Sequence, residues 1–282
     1  MTDINASVGE AFSRIREERP LIHHMTNLVV TNDTANVTLL LGALPVMAYA
    51  AEEVAEMVEQ ADVLLLNIGT PTPTGIESML VAGRAANDRG IPIVLDPVGA
   101  GATALRTESS LRLLEELEVA VIRGNAGEIA SLSEASGLSR APGLRGGALV
   151  KGVESVAAVD DRAALARAMA QAAGAVVAIT GERDVISDGQ RLLTVDNGHR
   201  WLTTITGTGG MATTAIAAFA AVEKDYVVAA AGGLACFGVA AELAAQDAQG
   251  PASFKVALFD RLYALTPEQL AASARITIVE PR

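Results

Sequence analysis

Short apolar runs separated by amphipathic stretches set the rhythm of this chain. Val54, Met57, Val58 and Ala61 share one side of a stretch whose other side carries Glu52, Glu53, Glu56 and Glu59, the period of a surface helix. Asp62 to Asn67, Ile91 to Leu95, Val119 to Ile122 and Ala175 to Ile179 are instead compact apolar runs without polar alternation, the pattern of strands buried on both faces. Between and beyond them, Ile76, Met79, Leu80 and Gly83 predict a helix closing at Gly90, and Leu111, Leu114 and Leu117 predict another. Glu128 to Ser136 and Arg162 to Ala173, the latter stopped by Gly174, predict two more.

Nearer the start, Ser7-Val8-Gly9-Glu10 has capping-box spacing for a helix ending before Pro20. Leu21 to Asn27 predicts a short strand or turn, and Asn32-Asp33 caps a helix from Thr34 to Leu41 that stops at Gly42. Pro45 to Ala48 is a brief extended piece, and Ala148-Leu149-Val150 a short strand. Asp184–Ser187 and Leu192–Asp196, joined through Asp188-Gly189, predict a hairpin at the sheet edge. Strands alternating with helices make an α/β fold, a mostly parallel central sheet with helices on both faces. With no repeat and no linker, residues 1–282 are expected to be a single domain.

Composition narrows the class. Half of the residues are apolar but only 3% are aromatic, so helices must pack closely through Ala and Gly. A net charge of −12 argues against nucleic acid or an anionic membrane as partner. The single Cys236 lies in an apolar run, which suits a buried hydrophobe and a cytoplasmic, reducing setting. The N-terminus has no basic-then-apolar signal pattern. The uncharged runs 203–222 and 226–241 are expected to be buried helices, the first broken by Thr and Gly, the second shorter than the ~20 apolar residues of a membrane span.

Candidate chemistry collects at the strand ends. In open α/β sheets ligands bind outside the carboxyl ends of the strands. There stand Asn67 with Thr70, Asp96, Arg123 with Asn125 and Glu128, Thr180, and the turn Thr206-Gly207-Thr208-Gly209-Gly210-Met211. That Gly-rich turn opens an apolar helix, where backbone N–H groups without partners favour a phosphate or a phosphoryl group in transfer; close helix packing would explain the same glycines. Gly207-x-Gly209-x-x-Ala212 also fits a loose dinucleotide fingerprint, but it comes late and lacks the following strand and acid. Asp96 suits a hydrated Mg²⁺ or a cap on the turn before Pro97. Glu128 suits a place behind that metal or a helix N-terminus. Arg123 suits a nucleotide phosphate or a surface. His23, His24 and His199 lack metal-triad spacing, and Lys151 has no Walker loop before it.

Together the motifs resemble those of the hydroxyethylthiazole kinases. The matching pieces are His24-Met25-Thr26-Asn27, Asn32-Asp33, Gly42-x-x-Pro45-Val46-Met47-Ala48, Leu95-Asp96-Pro97-Val98-Gly99-Ala100, Arg123-Gly124-Asn125-x-x-Glu128, Ile179-Thr180-Gly181-Glu182, Asn197-Gly198-His199, Gly207-Thr208-Gly209 and Gly250-Pro251-Ala252-Ser253-Phe254. The resemblance spans about residues 10 to 265. It implies a ribokinase-like fold and transfer of the ATP γ-phosphate to the primary alcohol of 4-methyl-5-(2-hydroxyethyl)thiazole, a step in thiamine salvage. It further implies that Asn27, Met47 and Gly207 meet the thiazole, Arg123 and Thr180 bind ATP, and Asp96 and Glu128 organise Mg²⁺. Gly207, Thr208, Gly209 and Gly210 would form the phosphoryl-stabilising turn, in a homotrimer with pockets between subunits. One departure stands out: Gly210 occupies the place where the family usually has Cys, so no side chain there can receive the hydroxyl proton. A slowed kinase, a ligand-binding homologue without turnover, and a kinase for another small alcohol all remain compatible with that glycine.

Overall fold

The computed structural model describes residues 3–137, 150–151, 154–155 and 161–279. The first half runs α1 (Ile4–Glu18), β1 (Leu21–Met25), α2 (Thr31–Leu41), β2 (Leu44–Met47), α3 (Val54–Val58), β3 (Val63–Asn67), α4 (Pro73–Asp88), β4 (Ile93–Asp96), α5 (Ala104–Glu116), β5 (Val121–Asn125) and α6 (Ala126–Ala135). After β6 (Val150–Lys151) and β7 (Glu154–Ser155), which pair only with each other, come α7 (Arg162–Ala173), β8 (Val176–Thr180), β9 (Asp184–Ser187) and β10 (Leu192–Val195). The chain then forms α8 (Thr208–Val222), α9 (Tyr226–Asp247), α10 (Pro251–Ala264), α11 (Pro267–Ser273) and β11 (Ile276–Ile278).

Nine strands form one sheet in the order β11-β10-β9-β8-β5-β4-β3-β1-β2. From β2 to β8 neighbours are parallel, while β9, β10 and β11 are added antiparallel. The apolar runs are explained by burial on two faces. In β3, Val63 and Leu65 point into a core shared with α1, α2 and α8 to α11. Leu64 and Leu66 point into a second core with α3 to α7, as the two-residue strand period requires. The mostly parallel sheet with helices on both faces is therefore as the sequence predicts.

Four local readings change. α1 is capped by Asp3, whose side chain accepts from the Asn5 N–H, so the Ser7–Glu10 spacing lies inside the helix. α2 starts at Thr31 without a side-chain cap, and Asp33 instead pairs with Lys255 at 2.8 Å. The β9–β10 hairpin is not the edge, because β11 pairs outside β10. α9 extends to 22 residues, long and apolar enough by length and composition to cross a membrane, yet 83% of its most apolar window is buried within the fold. Burial, and not shortness, is what marks it as a core helix. Of the predicted strand 148–150, residues 148 and 149 lie outside the described residues.

Small residues carry the α8–α9 contact. A Cβ at Gly233 would stand 2.5 Å from the Ile216 nitrogen and 2.6 Å from its Cα, and one at Gly232 would stand 2.7 Å from the Phe219 ring. The first is backbone that cannot give way, so Gly233 sets how closely α9 lies on α8. Gly233→Ala is expected to cost about 1–3 kcal/mol through overpacking, measured as a lower denaturant midpoint with an unchanged slope. A midpoint equal to the native one would contradict this packing.

Candidate active site

The sheet register brings the polar strand ends together: Asn67 of β3 lies opposite Asp96 of β4, and Asn125 of β5 opposite Thr180 of β8. The Asp96 carboxylate is fully buried. Its Oδ2 accepts from Asn67 Nδ2 at 2.9 Å and from Thr213 Oγ1 at 2.7 Å, and the Arg123 guanidinium stands 3.7 Å away. Burial raises the Asp96 pKa, while Arg123, Thr213 and Asn67 oppose that rise. Its second oxygen, Oδ1, is buried without a hydrogen-bond partner. A bare carboxylate oxygen out of water is costly unless something polar meets it, and a cation or one of its bound waters fits the position.

The network spreads from Asp96 in two directions. Asn67 Oδ1 accepts from Asn27 Nδ2 at 2.8 Å and from the Gly69 N–H at 2.9 Å. On the other side Arg123 donates to Thr180 Oγ1 at 2.6 Å, and its own Nε is buried without a partner. Over this line sits the start of α8. Gly207, at φ 86°, is its N-cap, and no side chain caps the helix, so its first N–H groups face outward unsatisfied. A Cβ at Gly209 would stand 2.7 Å from the Arg123 guanidinium, and one at Gly207 would stand 2.4 Å from Val30. Glycine is favoured at Gly207 by its left-handed backbone and the close approach of Val30, and at Gly209 a side chain would have to displace the Arg123 guanidinium.

Glu128 has both oxygens engaged. Oε1 accepts from the Gly99 N–H and Oε2 from the Asn125 N–H, each at 2.8 Å, while Asn125 caps the same helix in return. The carboxylate therefore ties the Asp96–Gly99 turn to the start of α6. Burial, then the nearby Asp96 charge, pushes its pKa to about 7. Met47 stands apart, half-buried at the end of the edge strand β2 and opposite His24. Asn27, Asp96, Arg123, Glu128, Thr180 and Gly207–Gly210 are brought together; Met47 lies two strands away from Asn67, across β1.

Among the described residues, no group of three or more His, Cys, Asp or Glu forms a metal cage. His23 and His24 are structural in their contacts: His23 meets the Ala48 carbonyl and His24 meets Thr38 Oγ1, and burial takes the His24 pKa down to about 3. Cys236 is buried, its thiol pushed up to about 12. An open groove of about 1100 Å³ runs from Arg123, Thr180 and Gly209 along Gly181–Asp184 to the loop Asp196–Arg200, floored by Leu234, Phe237 and Gly238 of α9. Its volume, with Arg123 among the lining residues, is enough for a ligand of nucleotide size.

Residues 12–268 match the model of the hydroxyethylthiazole kinase family. The chain belongs to that family. A hydroxyethylthiazole kinase of Roseiflexus sp. (strain RS-1) is 62% identical over 276 residues, covering 98% of each chain. The solved hydroxyethylthiazole kinase of Pyrococcus horikoshii OT3 is 41% identical, covers 97% of this chain and 99% of its own, and superposes with a TM-score of 0.87. A ribokinase-like superfamily protein of Enterococcus faecalis V583, 15% identical, covers 94% of this chain and 83% of its own with a TM-score of 0.57. The fold is ribokinase-like.

Within this hydroxyethylthiazole kinase frame, three contributors were not singled out from sequence. Thr213 was hidden in an apolar helix, although Thr213-Thr214 is its one polar pair. Arg106 donates to the carbonyls of Val98 and Gly69, each at 2.7 Å, and so braces the β3 and β4 loops against each other. Asp184 accepts from the Gly181 N–H at 2.9 Å beneath the groove, and burial lifts its pKa from 3.8 to about 6. Asp184 holds its proton more tightly in the folded chain than in the unfolded one. Its contribution to stability is therefore fully present below pH 3.8 and is lost as the pH rises through about 6. Asp184→Asn, which keeps an acceptor for Gly181, is expected to remove about 1–3 kcal/mol of that decline, read from denaturant unfolding at a series of pH values. An unchanged pH slope would contradict a buried, proton-holding Asp184.

Proposed function

We propose that the chain phosphorylates the primary alcohol of 4-methyl-5-(2-hydroxyethyl)thiazole with ATP and Mg²⁺, in thiamine salvage. The observation that carries the reading is the uncapped N-terminus of α8, facing the groove beside Arg123 and the free oxygen of Asp96. Arg123 and Thr180 hold the nucleotide phosphates through charge-assisted and hydroxyl hydrogen bonds. Mg²⁺ bound at Asp96 would neutralise charge developing on those phosphates, and Glu128 would support it by fixing the Asp96–Gly99 turn. The N–H groups at Thr208, Gly209 and Gly210 stabilise the transferred phosphoryl group. The alcohol oxygen bonds to the γ-phosphorus as the bond to the β–γ bridging oxygen breaks, giving a phosphate ester, ADP and a released proton. Asn27, Met47 and Gly207 orient the thiazole.

Several large apolar side chains stand exposed: Leu28 at 82% and Val29 at 61% directly follow Asn27, and Leu39, Tyr49, Val256 and Tyr263 are also exposed. Such side chains mark interaction surfaces. They support a homotrimer in which a neighbouring subunit completes each thiazole pocket. A cytoplasmic location belongs to the same reading, as does a single domain over residues 1–282.

Gly210 tunes the rate and does not remove the activity. A Cβ there would stand 3.3 Å from Val30, 3.6 Å from Asn67 Nδ2 and 3.8 Å from Thr34, so a cysteine enters after a shift of a few tenths of an ångström by Val30 and points toward the Asn67 network. Transfer of this kind depends chiefly on positioning and electrostatics, and a general base adds about 10²–10⁴-fold. The native chain is expected to release ADP from ATP and Mg²⁺ only when the thiazole alcohol is present, and Gly210→Cys to raise that rate by up to about 10²-fold. Silence from the native chain with activity in the variant would make the native protein a ligand-binding homologue. Silence from both would overturn the substrate.

A further inference from the structure

Glu242 and Arg275 are not among the residues that line the groove, yet they hold one of its walls. That wall is the loop Asp196–Arg200. Asn197 is buried and its amide is fully committed: Oδ1 accepts from the Arg275 N–H at 2.7 Å, and Nδ2 donates to the Ser273 carbonyl at 3.1 Å. The next N–H, at Gly198, donates to Glu242 Oε1 at 2.8 Å. The Arg275 guanidinium reaches both Glu242 oxygens, at 2.5 and 3.0 Å, and also the Asp196 carbonyl. With Asn197 Nδ2 also 3.4 Å from both Glu242 oxygens, three consecutive residues of the wall meet one carboxylate–guanidinium pair.

The two halves of that pair come from different elements. Glu242 stands one helical turn beyond Gly238 on α9, on the same face. Gly238 is in the groove floor, and a Cβ there would stand 2.7 Å from the Asn197 carbonyl carbon, so the wall rests directly on α9. Arg275 is delivered by the chain leading into β11, the outermost strand. His199, the next residue after the clamped Gly198, lines the groove; its Nδ1 accepts from the Trp201 N–H and its ring meets Trp201 and Phe254 at 5.3 and 5.9 Å.

We infer that Glu242 and Arg275 are positioning residues for nucleotide binding, acting through Asn197-Gly198-His199, and that the C-terminal strand therefore belongs to the nucleotide site. The inference rests on the reading of the groove as the nucleotide site. Without the clamp the loop must be ordered by the nucleotide itself, and that ordering is subtracted from its affinity. The thiazole end, at Asn27 and Met47, touches none of these groups, so the effect falls on one substrate alone.

The test is an ADP titration with Mg²⁺, followed by the fluorescence of Trp201, the chain's single tryptophan. It is run on the native chain, Glu242→Ala and Glu242→Gln, beside the KM of each for ATP and for the thiazole alcohol. Glu242→Ala is expected to weaken ADP binding and raise the KM for ATP by about tenfold, the order for losing one charge-assisted hydrogen bond, with the KM for thiazole unchanged. Glu242→Gln, which keeps an acceptor for Gly198, should fall between, and it supplies the comparison if the Ala variant does not fold. Native affinity for ADP in both variants, with only a lower melting temperature, would overturn the inference and leave the function intact. Failure of the native chain to bind ADP would overturn the nucleotide groove itself and the clamp with it.

Discussion

Everything at the site depends on accommodating one carboxyl group inside the protein. Asp96 is fully buried, and burial alone drives it toward its neutral form. Arg123, Thr213 and Asn67 oppose that drive, and each reaches Asp96 from a different element: β5, α8 and β3. Meeting that carboxyl group therefore brings three elements together. The same contacts place Arg123 against Gly209 and set the start of α8 over the strand ends. Because these groups gather at Oδ2, the other oxygen is left buried without a hydrogen-bond partner. Electrostatic stabilisation by preformed donors in a dry site is the usual source of rate in phosphoryl transfer.

Close packing by small residues supplies the frame. With few aromatics, α8 and α9 approach through Gly232 and Gly233, while Gly238 lets the Asn197 loop lie against α9. One helix thus sets the depth of the core at its first half and the floor of the groove at its second. Gly207, Gly209 and Gly210 continue the same economy of volume at the site: two of them lie where a Cβ would collide with Arg123 or Val30, and the third leaves space toward Asn67. Charge and close packing meet at the N-terminus of α8.

Much of this was legible in the sequence because the strands announce themselves. Buried parallel strands read as apolar runs, their polar final residues mark the ligand-binding edge, and the bounds of α7 followed directly from its Gly174 stop. Local signals failed where a distant residue wins. Ser7 has the spacing of a cap, but Asp3 takes the role; Asp33 looks like a cap and pairs with Lys255 from α10. β11 is three residues long and mostly exposed, too short to carry a pattern, and it exists because β10 offers it an unpaired edge. Thr213, Arg106 and the Glu242–Arg275 pair were invisible for a related reason. Their partners lie 33 to 117 residues away or are backbone atoms of loops whose course no local pattern gives. Glu128 carried two readings from sequence: it does stand at a helix N-terminus, as half of the α6 capping box, and its other oxygen bonds the Gly99 N–H of the Asp96 turn.

The most direct test is calorimetric titration of ADP, with and without Mg²⁺, into the native chain and into Asp96→Asn. If Asp96 supplies the oxygen that meets the metal, Mg²⁺ strengthens ADP binding to the native chain. In the variant that strengthening disappears, while the weaker, metal-free binding through Arg123 and Thr180 survives. The same Mg²⁺ enhancement in both proteins would contradict the account, and would place the metal on groups other than Asp96.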